Sequence, residues 1–190
     1  LSGTAATDDG DEIATALTAY LSGLSFLDRT ADEVTELLVS AVLAWGRQRG
    51  WRVYRRAPSV LPLPPPYERQ HSWVDVGCAR PDGGPVVLEV DHGGRRRSVQ
   101  KLLAEAEAGR TAVWIRWGDR PVEAPPAPVR LVTLYVTGRR AVTGERRYSR
   151  PPGSDRPPPP HGGPMPAAAE QVELFGGDPG RFDSTDRTVL

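Results

Sequence analysis

Residues 85–91 read PVVLEVD, an apolar run of strand length that carries acids at Glu89 and Asp91 and is broken by Gly93 and Gly94. Apolar runs this short, bounded by turn residues, form strands buried on both faces of a sheet, and such strands need other elements to cover them. Side chains two apart on a strand project to the same side. The chain must therefore fold around a sheet that tolerates two neighbouring carboxylates in its interior.

The flanking sequence supplies the covering elements. Ile13, Leu17, Tyr20, Leu21 and Leu24 recur at helical spacing and predict a short amphipathic helix within residues 11–27. Thr30 and Glu33 have the spacing of a capping box, and Val34, Leu37, Leu38, Ala41, Val42 and Trp45 continue as one apolar stripe until Gly50. WRVYRR (51–56) predicts a strand, and the prolines of residues 57–70 predict a long loop because they cannot donate to a ladder. SWVDVGCA (72–79) predicts the next strand, joined through ARPDGG to 85–91 as an antiparallel hairpin. Ser98 is placed to cap a helix with Val99, Leu102, Leu103 and Ala106 on its inner face and Gly109 at its end. TAVWIRW (111–117) and RLVTLYV (130–136) complete the strands. The expected fold class is α/β, a central mixed sheet flanked by helices.

Three segments are expected: an acidic stretch with a short helix over 1–30, a folded domain over 31–145, and a proline-rich, disordered tail over 146–190 whose apolar content is too low to offset the entropy of ordering. A single cysteine, Cys78, excludes an intramolecular disulfide framework. No apolar run approaches the roughly 18 residues that span a bilayer, and the acidic start lacks the features of a signal peptide. A cytoplasmic protein with no membrane partner is the resulting expectation. Formal net charge is zero, but arginine supplies nearly all the positive charge; Lys101 is the one lysine among 24 basic residues.

The acids carry the chemistry. If the hairpin closes near Asp82 and Gly83, Asp75 comes within about 5–8 Å of Glu89 and Asp91. Two unit charges 4 Å apart repel by about 4 kcal/mol at an effective dielectric near 20, so a positive partner is needed. Hard carboxylate oxygens converging from two strands suit Mg²⁺ or Mn²⁺. The plainer alternative is a surface network in which Glu89 and Asp91 pair with Arg95, Arg96 and Arg97. Glu33 is accounted for as a capping residue.

With Asp75 in SWVDVG, Glu89 in LEVD and an acid on the preceding helix, the chain resembles the PD-(D/E)XK nuclease superfamily over about residues 31–120. That resemblance implies a restriction endonuclease-like core of order α-β-β-β-α-β and metal-dependent hydrolysis of DNA phosphodiesters, in repair, restriction or phage defence. It implies that Asp75 and Glu89 hold the metal, with the carbonyl of Val90 as a further ligand, that Asp91 orients the attacking water or helps to hold metal, and that Glu36 or Glu33 is the helix acid. Asp91 stands where the family has its lysine. Lys101 on the following helix is then the candidate for stabilising transition-state charge, with Arg96 and Arg97 as substitutes. Arg95, Arg96 and Arg97 would contact phosphates of the DNA. A homodimer would suit double-strand cutting. The alternative is a non-catalytic adaptor that retains the nuclease fold and binds DNA or the DNA sliding clamp without hydrolysis.

Beyond the linker, EQVELFGG presents Gln171, Leu174 and Phe175 in an otherwise polar tail. The pattern resembles the Q-x-x-L-F peptide with which bacterial replication and repair proteins dock on the DNA sliding clamp. It implies a polar contact by Gln171, apolar contacts by Leu174 and Phe175, and a tether that raises the local concentration of a weak binder on DNA.

Overall fold

The computed structural model describes residues 3–153, with side chains from residue 9 onward. At its centre is a five-stranded sheet in the order β2-β3-β4-β5-β6: β2 (Arg52–Pro62), β3 (His71–Ala79), β4 (Val86–Asp91), β5 (Thr111–Gly118) and β6 (Arg130–Tyr135). β2, β3 and β4 are antiparallel neighbours, whereas β4, β5 and β6 run parallel. Parallel neighbours require crossovers, and α3 (Arg96–Glu107) supplies the one between β4 and β5.

Helices cover both faces. α1 (Gly3–Ser22) and α2 (Ala31–Gln48) bury Ile13, Leu17, Leu21, Val34, Leu38 and Val42 against Val86, Leu88, Val90, Val113 and Ile115. On the opposite face α3 packs Leu102 against Val74, Val87 and Trp114. β4 is buried at every position, as its apolar run predicts, and β5 is buried at all but its ends. α2 begins with the expected capping box: Glu33 donates its backbone N–H to Thr30 Oγ1 at 3.2 Å, and Thr30 donates its own to Glu33 Oε2 at 2.8 Å.

Several boundaries differ from the sequence reading. β2 continues through Pro58 and Pro62 into the stretch expected to be loop. It is an edge strand, so each proline's missing N–H leaves no ladder partner unsatisfied. α3 starts earlier than expected, with Arg95 at the N-cap position and Ser98 buried in the first turn rather than capping it.

A second, three-stranded sheet, β1-β8-β7, joins β1 (Phe26–Arg29), β7 (Thr137–Arg140) and β8 (Arg146–Arg150). It places residues 146–150 in a strand, not in the expected linker. Its anchors are Tyr148 and the fully buried Arg150, whose guanidinium donates to the backbone carbonyls of Leu24, Tyr135 and Ser22. The apolar residues of α1 belong to the same core as those of α2, so no break falls at residue 30. The remainder of the tail, with Gln171, Leu174 and Phe175, lies outside the described residues. Among the described residues no helix is long and apolar enough to cross a membrane.

Candidate active site

The site lies where β3 and β4 part. Their pairing runs from Cys78 with Val86 to Val76 with Leu88 and stops one residue short of Asp75. Beside it, Arg56 on β2 adopts a positive φ of 52°. Side chains here change faces: Val76 and Cys78 join the α1/α2 core, whereas Val74 joins the α3 side. At this break the Asp75 carboxylate takes the place of the lost ladder acceptor, and the backbone N–H of Val90 donates to its Oδ2 at 2.8 Å.

β4 brings Glu89 and Asp91 to the α3 side, opposite Leu88 and Val90. Glu89 is 4% exposed. From α3, Lys101 Nζ reaches Glu89 Oε1 at 2.6 Å and also donates to the carbonyl oxygen of Trp73. A lysine in the second turn of a crossover helix thus arrives at the carboxylate two residues before Asp91.

Asp91 is engaged differently. Trp114 Nε1 on β5 donates to its Oδ2 at 3.0 Å, and Arg95 Nε lies 3.4 Å from its Oδ1. Both oxygens are therefore directed at protein donors. Among the described residues no three ligating side chains come together as a metal cage. Asp75 and Glu89, by contrast, each keep a second oxygen that no described donor takes.

Electrostatics distinguish this pair. Burial, and then the nearby Asp75 charge, push Glu89 up to about 7, against the opposing hydrogen bond from Lys101. Burial also raises Asp75, with the Asp91 charge adding to it, while the Val90 N–H, Lys101 and Arg95 pull the other way. A buried acid and a half-buried one in mutual repulsion, with spare hard oxygens, fit a divalent cation that accepts one or two carboxylates and keeps its remaining waters.

The other expected residues are dispersed. Glu36 sits on the exposed side of α2, ion-paired to Arg55 and accepting from Ser40, and does not join the acids. Arg55 stands between, near enough to Asp75 for that charge to favour its own. Glu33 caps α2. Arg95 and Arg96 line a cleft of about 880 Å³ beside the acids, whereas Arg97 turns away and donates to the carbonyl of Pro62.

Sequence reasoning missed Trp114 and Arg116. The signal for Arg116 was present: a charge inside the apolar strand TAVWIRW has to be buried for some purpose. Neither a scan of family models nor a search of curated proteins gives a match to this chain.

Proposed function

We propose that the chain is a metal-dependent nuclease that hydrolyses phosphodiester bonds of DNA. The observation that carries this reading is Lys101, the lone lysine of the chain, placed 2.6 Å from the Glu89 carboxylate. The acid-x-Lys triplet of the resemblance lacks its lysine, since Asp91 stands there, and the crossover helix supplies one to the same carboxylate. The order α2-β2-β3-β4-α3-β5 follows the α-β-β-β-α-β core that the resemblance implies.

Asp75 and Glu89 would hold a Mg²⁺ or Mn²⁺ ion, which when bound lowers the pKa of a water and offsets charge on a phosphoryl oxygen. The chain's own groups do the rest. Lys101 offers a positive charge to the developing oxyanion. Asp91, held by Trp114 and Arg95, fixes the end of β4 and orients Arg95 toward the cleft. Glu89, at about 7, changes protonation near neutral pH and so couples the site to pH. The tail peptide at Gln171, Leu174 and Phe175 would deliver the domain to DNA through the sliding clamp.

One feature supports a second reading. Lys101 is locked in an ion pair and Asp91 is fully engaged, as in a protein that keeps the fold to bind DNA without cutting. Incubating the full chain with single-stranded, duplex and branched DNA in Mg²⁺, Mn²⁺ or EDTA separates the two. Cleavage that requires metal and disappears in D75N and E89Q supports the nuclease. DNA binding with no cleavage in either metal supports the adaptor.

A further inference from the structure

Beside the acids, at the carboxyl ends of the parallel strands β4 and β5, lies the cleft of about 880 Å³. Ligands of open sheets with parallel strands settle at such ends. Its floor is Arg116, the register partner of Asp91, and only 8% of this arginine is exposed. A buried guanidinium ordinarily sits on a carboxylate, because an uncompensated charge in the interior is costly. Here the guanidinium donates to the carbonyl of Trp117, and its Nε has no partner among the described residues. Asp91 and Asp119 are near enough to favour its charge, yet neither forms an ion pair with it.

The rest of the cleft has the same sign. Arg96, Arg120 and Arg146 line it, and none has a carboxylate partner among the described residues. Asp119 and Glu123 are the acids on its wall, fewer than its arginines. The N-terminus of α3 opens onto it through Gly93 and Gly94. That helix has no capping side chain and no acid in its first turn, so its free N–H groups and positive dipole end face the cleft. A buried unpaired arginine, an uncapped helix start and a ring of unpaired arginines converge on one space. This is the arrangement that receives a phosphate.

We propose that this cleft seats a phosphate group of the nucleic-acid strand, with Arg116 at its base and Arg120 and Arg146 at its rim. Continuity with the carboxylates favours a strand over a free anion: Arg95 and Trp114 line the cleft and also hold Asp91. The assignment rests on the DNA-acting reading for its ligand, but not on catalysis. Inorganic phosphate shares the same chemistry and is the alternative source.

Fluorescence anisotropy of labelled single-stranded and duplex DNA, with the full chain in EDTA, tests it without turnover. R116Q is expected to weaken binding at least tenfold, and R120Q/R146Q, both on exposed residues, to weaken it while lowering the salt slope by about one to two. R47Q, on the exposed last turn of α2 and outside the cleft, is expected to leave affinity within about twofold. If R116Q does not fold, the rim double variant carries the test. Unchanged DNA binding in the folded variants overturns the proposal. So does an inorganic phosphate titration that depends on Arg116 while DNA binding does not, since that marks a small-anion site. The nuclease reading fails separately, through absence of cleavage in a protein whose DNA binding still depends on these arginines.

Discussion

Lys101 Nζ on α3 and Glu89 Oε1 on β4 lie 2.6 Å apart, and both side chains are shielded from solvent. The ammonium offsets a carboxylate that burial would otherwise neutralise. Replacing it with the isosteric apolar K101M removes the charge while preserving the helix packing. Cleavage is expected to fall by about 10²–10³, the usual range for loss of one transition-state donor. Metal binding should persist, because the carboxylates remain. Single-turnover rates and Mn²⁺ titrations on the same preparation read the two effects apart.

Glu89 sets a pH dependence with a definite sign. Its folded value of about 7 lies above the ordinary 4.5. Between those values the folded protein keeps a proton that the unfolded chain has released. The stabilisation from this group is therefore complete below about 4.5 and is lost as pH rises to about 7. Denaturant titrations in EDTA at pH 5 and pH 8 should show wild type losing up to about 3 kcal/mol relative to E89Q across that interval. Excess Mg²⁺, which binds the deprotonated form, should remove the loss.

Asp91 separates a two-acid centre from a three-acid one. Its oxygens are taken by Trp114 and Arg95, and an asparagine still offers an acceptor to the Trp114 N–H. D91N is expected to weaken metal binding less than D75N does, since it removes a nearby charge but no ligand oxygen. D75N should lose it. Isothermal titration with Mn²⁺ in both variants checks this, and equal losses would restore Asp91 as a ligand.

Much of the fold could be read from the sequence, because its strongest signals are periodic. The stripe of α2, its capping box, the hairpin of β3 and β4 and the buried run of β4 all follow from the spacing of apolar and turn residues. What escaped has no such signature. β8 is anchored by Tyr148 and by Arg150, a residue that reads as solvated until its carbonyl partners from distant segments are known. The prolines of β2 argue against a strand in the sequence, and only its position at the sheet edge makes them harmless.

The site was legible to the same extent. Helical phase brings Lys101 to Glu89, and Asp75 lies near enough for its charge to act on Glu89 although the β3/β4 ladder ends before it. The fate of Asp91 was hidden, because its partner Trp114 comes from β5 through parallel pairing, which sequence spacing does not fix. Glu36 was misplaced for a similar reason: Arg55 captures it on the outer side of α2.

The tail motif gives a prediction independent of the site. L174A/F175A should leave cleavage of free DNA unchanged and abolish binding to a purified bacterial sliding clamp, as measured by surface plasmon resonance. Tethering of this kind raises effective concentration without altering the catalytic residues. A clamp affinity unchanged by the double substitution would remove the peptide from the account.

The central claim is that Asp75 and Glu89 share a divalent cation, and Mn²⁺ binding followed by electron paramagnetic resonance addresses it most directly. At pH 8 the full chain should bind one Mn²⁺, competed by Mg²⁺, and both D75N and E89Q should lose that signal while their circular dichroism spectra stay those of the folded protein. Mn²⁺ binding that is absent from the wild type, or that survives in both folded variants, would contradict it.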